Sequence, residues 1–169
     1  MNRFITVLGA ILLYGSASSS EWKVFSFATN ESDNILLFYD PSSVKQTEND
    51  FITVRVKSMD AALLLGAEIS NEGLARIDAK LKSGYIPPIT MLTSTSVKGG
   101  LILEEQANNA GVPAINQLVW EIDCTKGVER ILSAAKMADN EQASYEVFPD
   151  WERVPPGSVG NNLMRLLCS

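Results

Sequence analysis

The chain of 169 residues contains no histidine. That absence removes the commonest general base, the commonest metal ligand, and the Ser-His and Cys-His nucleophile arrangements together. Cysteine is nearly as scarce: only Cys124 and Cys168 occur. A zinc site needs more ligands than two thiols, and no imidazole is present to complete one. A catalytic redox pair usually sits as C-x-x-C, whereas these two lie 44 positions apart. Basic residues are outnumbered, 14 Lys and Arg against 20 Asp and Glu, for a net charge of -6. Such a balance argues against nucleic acid and against electrostatic docking on anionic lipid. No glycine-rich phosphate loop appears, since Gly99-Gly100 stands alone.

Long apolar runs are also missing after the first segment. Ala61 to Ala67 is apolar but far too short for a membrane helix. The first segment differs. Arg3, the largely apolar run Phe4 to Tyr14 and the small-residue exit Gly15-Ser16-Ala17-Ser18-Ser19 read as a secretory signal peptide over 1–19, cleaved after Ala17 or Ser19. The exit holds no cysteine, so a lipoprotein anchor at that site is not available. The chain is therefore expected to be exported, periplasmic or extracellular, and free of a membrane span. In that setting an even cysteine count reads as a structural Cys124–Cys168 disulfide.

What remains is ordinary globular sequence: 46% hydrophobic and 20% charged residues, enough to bury a core. Residues 20–169 are expected to form one α+β domain, a small antiparallel sheet with a C-terminal helix and a partly helical insertion at about 60–116. Trp22 to Ala28, Ile35 to Asp40, Phe51 to Lys57, Leu118 to Cys124, Arg130 to Met137 and Ser144 to Phe148 read as strands. In the third, Ile52, Val54 and Val56 face the core, while Thr53, Arg55 and Lys57 form a wet face. Asp40-Pro41-Ser42-Ser43 reads as a turn. Asn30-Glu31-Ser32 fits a glycosylation sequon but reads as turn chemistry, and Asp139-Asn140-Glu141 as another turn.

Within the insertion, Asn71 caps an expected helix from Glu72 to about Ser83, ended by Gly84, with Leu74, Ile77 and Leu81 as its apolar stripe. Pro87-Pro88 breaks the chain, and a second helix or turn covers Leu101 to Asn108. Ser158 is a good N-cap for a terminal helix from Val159 to Leu167, whose Leu163, Leu166 and Leu167 face the core. Cys168 then pins that helix to the end of the Cys124 strand. Ser158 after Gly157 does not meet the nucleophile-elbow pattern. Glu104-Glu105 and Asp139 with Glu141 lack calcium-loop spacing and read as solvated turns. Trp22, Trp120 and Trp151 read as core or core-edge packing.

Trp120-Glu121-Ile122-Asp123-Cys124, Arg130-Ile131-Leu132, Trp151-Glu152-Arg153-Val154-Pro155-Pro156-Gly157-Ser158 and the closing Cys168, with Trp22 and Tyr39-Asp40-Pro41-Ser42-Ser43-Val44 upstream, together resemble the bacterial surface-adhesin protein E family. The resemblance spans roughly 21–57 and 117–169. It implies a small antiparallel sheet, a helix held by one disulfide, and a non-enzymatic role in binding extracellular-matrix proteins. The chain departs from the family in lacking a lipid-anchoring cysteine and in carrying the long insertion.

The expectation is thus a protein-binding module of the cell envelope or surface, adhesin-like, with no cofactor, metal or catalytic residue. The alternative is an accessory subunit that docks into a self-encoded envelope assembly through the insertion. Leu63, Leu64, Leu65, Ile86 and Ile89 are the candidate partner-binding residues, because their apolar surface must be covered either by the sheet or by a partner chain. An enzyme would instead show a closed pocket with clustered, perturbed carboxylates.

Overall fold

A computed structural model describes residues 21–29, 34–138, 141–145 and 148–168, with side chains described outside 137–149. The leader expected over 1–19, the Asn30-Glu31-Ser32 sequon and the Asp139-Asn140 turn lie outside the described residues.

The architecture is α+β. Among the described residues eight strands form one antiparallel sheet: β1 (Lys23–Thr29), β2 (Asn34–Tyr39), β3 (Lys45–Gln46), β4 (Ile52–Asp60), β5 (Asn116–Asp123), β6 (Val128–Ala138), β7 (Glu141–Tyr145) and β8 (Phe148–Arg153). The order is β1-β2-β4-β5-β6-β7. β3 shares the β2 edge of β4, and β8 shares the β7 edge of β6. Two short strands in succession therefore cover one edge of each long strand. The expected single strand over Ser144 to Phe148 is instead divided: Ser144 and Tyr145 end β7, and Phe148 begins β8, each pairing with a different stretch of β6.

β2 reads Ile35-Leu36-Leu37-Phe38, with no polar alternation, because both faces are covered. Leu36 and Phe38 pack with Val24 and Met59 beneath a helical layer; Leu37 packs with Phe25, Val54, Val56, Trp120 and Ile122 beneath the C-terminal helix. A register shift between Val24 and Ser26 lets the consecutive Val24 and Phe25 both be buried.

Between β4 and β5 run four helices: α1 (Ala61–Leu65), α2 (Asn71–Lys82), α3 (Pro88–Leu92) and α4 (Val97–Asn109). Each start is chemically marked. Asp60 accepts from Leu63 N, Ser70 from Gly73 N and Ser96 from Gly99 N, while Pro88 opens α3. The cap of α2 is thus Ser70 and not Asn71. Pro87-Pro88 begins a helix instead of only breaking the chain. α4 begins four residues ahead of the expected Leu101. Its Gly100 resembles loop sequence, yet a Cβ there would stand 2.8 Å from Pro87 Cβ, so close α3–α4 packing explains the small residue. The Leu74, Ile77 and Leu81 stripe does not form: Ile77 alone is buried, beside Gly73, while Leu74 and Leu81 are exposed.

Lys57 corrects the wet-face reading of β4. The helical layer covers it, and its Nζ donates to Ala107 O at 3.0 Å in the last turn of α4. The Trp22 ring lies 4.8 Å away and the Phe38 ring 5.6 Å. No carboxylate pairs with it among the described residues. Carbonyl, helix terminus and ring faces stabilise the charge in part, but burial still lowers its pKa to about 8.

α5 (Val159–Leu167) closes the opposite face. Ser158 caps it, accepting from Asn161 N at 3.1 Å, and Leu163 is fully buried with Leu166 and Leu167 packed beside it. The Cys124–Cys168 disulfide joins its end to the end of β5, with Cα atoms 5.5 Å apart. Trp120 is core, Trp22 packs at the core edge, and Trp151 meets Phe51 edge to face with Arg130 over its ring.

Two outcomes follow. The double variant Cys124→Ala/Cys168→Ala should lose about 3–4 kcal/mol in urea unfolding, the loop-closure value for this separation. Lys57→Met should be more stable than the parent at neutral pH, with the gain shrinking as pH rises. The folded state holds fewer protons on Lys57 than the unfolded state between about 8 and 10.5, so parent stability climbs through that window. Thermal melts of both proteins at pH 7 and 10.5 check it.

Candidate functional site

The segment leading into β1, α2 and α4 meet at a polar cluster. α4 presents Glu104, Glu105, Asn108 and Asn109, which helical spacing places on adjoining turns. Asn108 holds the segment leading into β1: its Oδ1 accepts from Trp22 N at 2.8 Å and its Nδ2 donates to Trp22 O at 2.9 Å. That clamp brings Glu21 and Lys23 to the rim of α2. Glu105 receives the Arg76 guanidinium, with Nη2 donating at 2.6 Å and Nε at 3.2 Å to both oxygens, and Asn109 Nδ2 at 3.0 Å.

Glu104 is fully buried. Its Oε1 accepts from Tyr85 Oη at 3.1 Å, while its Oε2 has no hydrogen-bond partner. Two ammonium groups flank it, Lys23 Nζ at 3.8 Å and Lys80 Nζ at 3.9 Å. Both also pair with Glu21, Lys23 at 2.9 Å. Lys23 Nζ lies 4.4 Å over the Tyr85 ring and Lys80 Nζ 5.5 Å. Burial pushes the Glu104 carboxyl up, opposed by Lys23, Lys80 and the Tyr85 bond. Burial and the Glu104 charge push the Tyr85 hydroxyl far up, so it serves as a donor at any physiological pH. Hydrogen bonding to Lys80 holds Glu21 low. A cavity of about 360 Å³ opens beside these groups, lined by Glu21, Arg76, Lys80, Glu104, Glu105 and the two asparagines.

This arrangement overturns the solvated-turn reading of Glu104-Glu105. Both lie inside a helix, buried, with cations brought from α2 and from the first residue of β1, 24 or more residues away in sequence. The i, i+4 pairing of Glu104 with Asn108 and of Glu105 with Asn109 was the one local signal for a shared polar face. Among the described residues no group of three His, Cys, Asp or Glu side chains converges as a metal ion requires.

The proposed partner-binding residues divide. Leu64 and Ile89 are buried in the core under the helices and cannot meet a partner in this fold. Leu63 and Leu65 are 62% and 63% exposed, and Ile86 is half exposed. Leu74, Leu81 and Met91, which the sequence reading did not assign to a surface, are exposed on the same helical layer. The candidate docking residues are therefore the exposed apolar side chains of the insertion, while Leu64 and Ile89 are core.

A second cavity, about 240 Å³, lies at the β6–β8 edge between Trp120, Glu129, Ile131, Asp150 and Glu152. Glu129 faces Glu152 directly across the strands, and its buried Oε2 has no hydrogen-bond partner. The carboxylate occupies the space that a Cβ on Gly160 would fill, so a side chain there would require the Glu129 carboxylate to move. Burial, then the Glu152 charge, raises the Glu129 pKa to about 7. The folded state therefore binds the extra proton between 4.5 and about 7, and stability falls as pH rises through that window. Glu129→Gln should accordingly be the more stable protein above pH 7 and lose that advantage toward pH 4.5, read from urea midpoints at the two ends.

No protein-family model, curated protein or solved structure matches the chain.

Proposed function

We propose that the chain is an exported, non-enzymatic, adhesin-like protein-binding module of the bacterial cell envelope or surface, which contacts its partner through the outer side of the helical insertion. The observation that carries this reading is the distribution of exposed apolar residues. Among the described residues the large exposed apolar side chains are Leu63, Leu65, Leu74, Leu81, Ile86, Met91 and Phe27, and all but Phe27 belong to the insertion. Exposed apolar surface concentrated on one layer is the usual mark of a protein contact. The intramolecular disulfide supports an oxidising, extracytoplasmic address. Among the described residues no helix is long and apolar enough to cross a membrane. The motif resemblance supports a matrix protein as the partner class.

The same leucines favour a second reading, docking into a self-encoded envelope assembly. The two differ in what is captured. Immobilised full chain should retain purified matrix proteins if it is adhesin-like, and a stoichiometric component of its own envelope if it is an accessory subunit. Under either reading Leu63→Glu/Leu65→Glu should weaken capture at least tenfold, while its thermal midpoint barely moves, since both side chains are solvated. Leu64→Ala, one residue inside the same helix, should instead cost about 2–5 kcal/mol of stability. Undiminished capture by the double variant would remove the insertion from the interface.

A further inference from the structure

Beside the cavity lined by Glu104 and Lys80, three hydrogen-bonding groups with spare capacity converge, the third being Lys23. Glu104 Oε2 is a fully buried acceptor without a donor. Lys23 and Lys80 each carry three N–H donors and use part of that set on Glu21. Their nitrogens stand 3.8 and 3.9 Å from Oε2, too far for direct hydrogen bonds and the right span for one oxygen bridging at about 2.8 Å to each side. A ligand oxygen that accepts from two ammoniums and donates to a carboxylate is a hydroxyl. The neighbouring charges balance. Glu21, Glu104 and Glu105 face Lys23, Lys80 and Arg76, so an ion of either sign gains little net field there. A cavity of about 360 Å³ is more than a single water fills and lies within the size range of small-ligand sites.

We propose that this cavity binds a saccharide unit, one hydroxyl of which sits between Lys23, Lys80 and Glu104 Oε2, with the Asn109 and Arg76 edges facing the rest of the ring. This site is distinct from the leucine surface of the insertion and does not depend on it. A neutral, multiply hydroxylated ring suits a wall that mixes donors and acceptors, because each hydroxyl can meet either kind. A buried acceptor left without its donor then supplies selectivity against molecules lacking a hydroxyl at that point.

The test uses the full chain and D-glucose, D-galactose and N-acetyl-D-glucosamine as probes, followed by the side-chain amide signals of Asn108 and Asn109 in NMR titrations. At least one sugar should give saturable shifts, with affinity falling at least tenfold in Glu104→Gln and in Lys80→Met. Lys80→Met, on the partly exposed side of α2, keeps the test valid should Glu104→Gln fail to fold. Leu63→Glu/Leu65→Glu should leave sugar binding unchanged, which separates this site from the protein-binding surface. No saturable response from any of the three sugars up to about 50 mM, a limit of very weak affinity, would mean that water alone fills the cavity and would overturn the proposal. Binding that survives both cavity variants would place the sugar elsewhere and overturn it equally.

Discussion

The structure depends on β2 being apolar on both faces. Leu36 and Phe38 look one way and Leu37 the other, and all three are buried. Leaving either face in water would expose side chains worth about 1.5–3 kcal/mol each when buried. A sheet of this size therefore needs two covers. The insertion between β4 and β5 supplies one, and α5 supplies the other. The disulfide belongs to the second cover: α5 is nine residues long, too short to persist alone, and Cys168 ties it to the end of β5.

The two covers are attached by different physics. α5 is held by Leu163 and its neighbours and by a covalent bond. The helical layer is seated by apolar contacts from Leu64, Ile89 and Leu103, and then oriented by polar ones. Asn108 grips the backbone of Trp22, Gln106 donates to Ala67 O at 2.8 Å, and Arg76 joins α2 to α4 through Glu105. Directional bonds of this kind select one arrangement of helices where apolar contact alone would tolerate several. Buried charge is the cost. Lys57 and Glu104 both titrate away from their ordinary values because the layer removes water from them.

The insertion thus has an inside that is core, exposed leucines, and a polar seam where it meets the segment leading into β1. The exposed leucines support a protein contact and the seam supports a small hydroxylated ligand. The leucines lie on the part of the chain for which the motif resemblance supplies no counterpart, the seam joins that part to Glu21–Lys23, and the residues that carry the resemblance build the sheet, the β2–β3 corner and the stapled helix. Within that corner the fully buried Asp40 accepts from Ser42 N at 2.9 Å and pairs with Arg55, so the turn motif is structural in this fold.

Local features determined much of this. The α+β class, the strands β1, β2, β4, β5 and β6, the Ser158-capped terminal helix and the disulfide were legible, because period-two patterning, caps and an even cysteine count act over a few residues or through simple pairing. The insertion's limits at 60 and 116 were legible for the same reason. Tertiary structure alone decided which polar residues are buried. Lys57 falls on the polar side of an alternating strand, yet α4 covers it. Glu104-Glu105 looks like solvated sequence, yet Lys23, Lys80 and Arg76 come to it from other elements. Leu64 is buried while its neighbours Leu63 and Leu65 are exposed, because a helix of five residues can turn only one side to the sheet. In each case the deciding partner is distant along the chain, and no spacing within a short window records it.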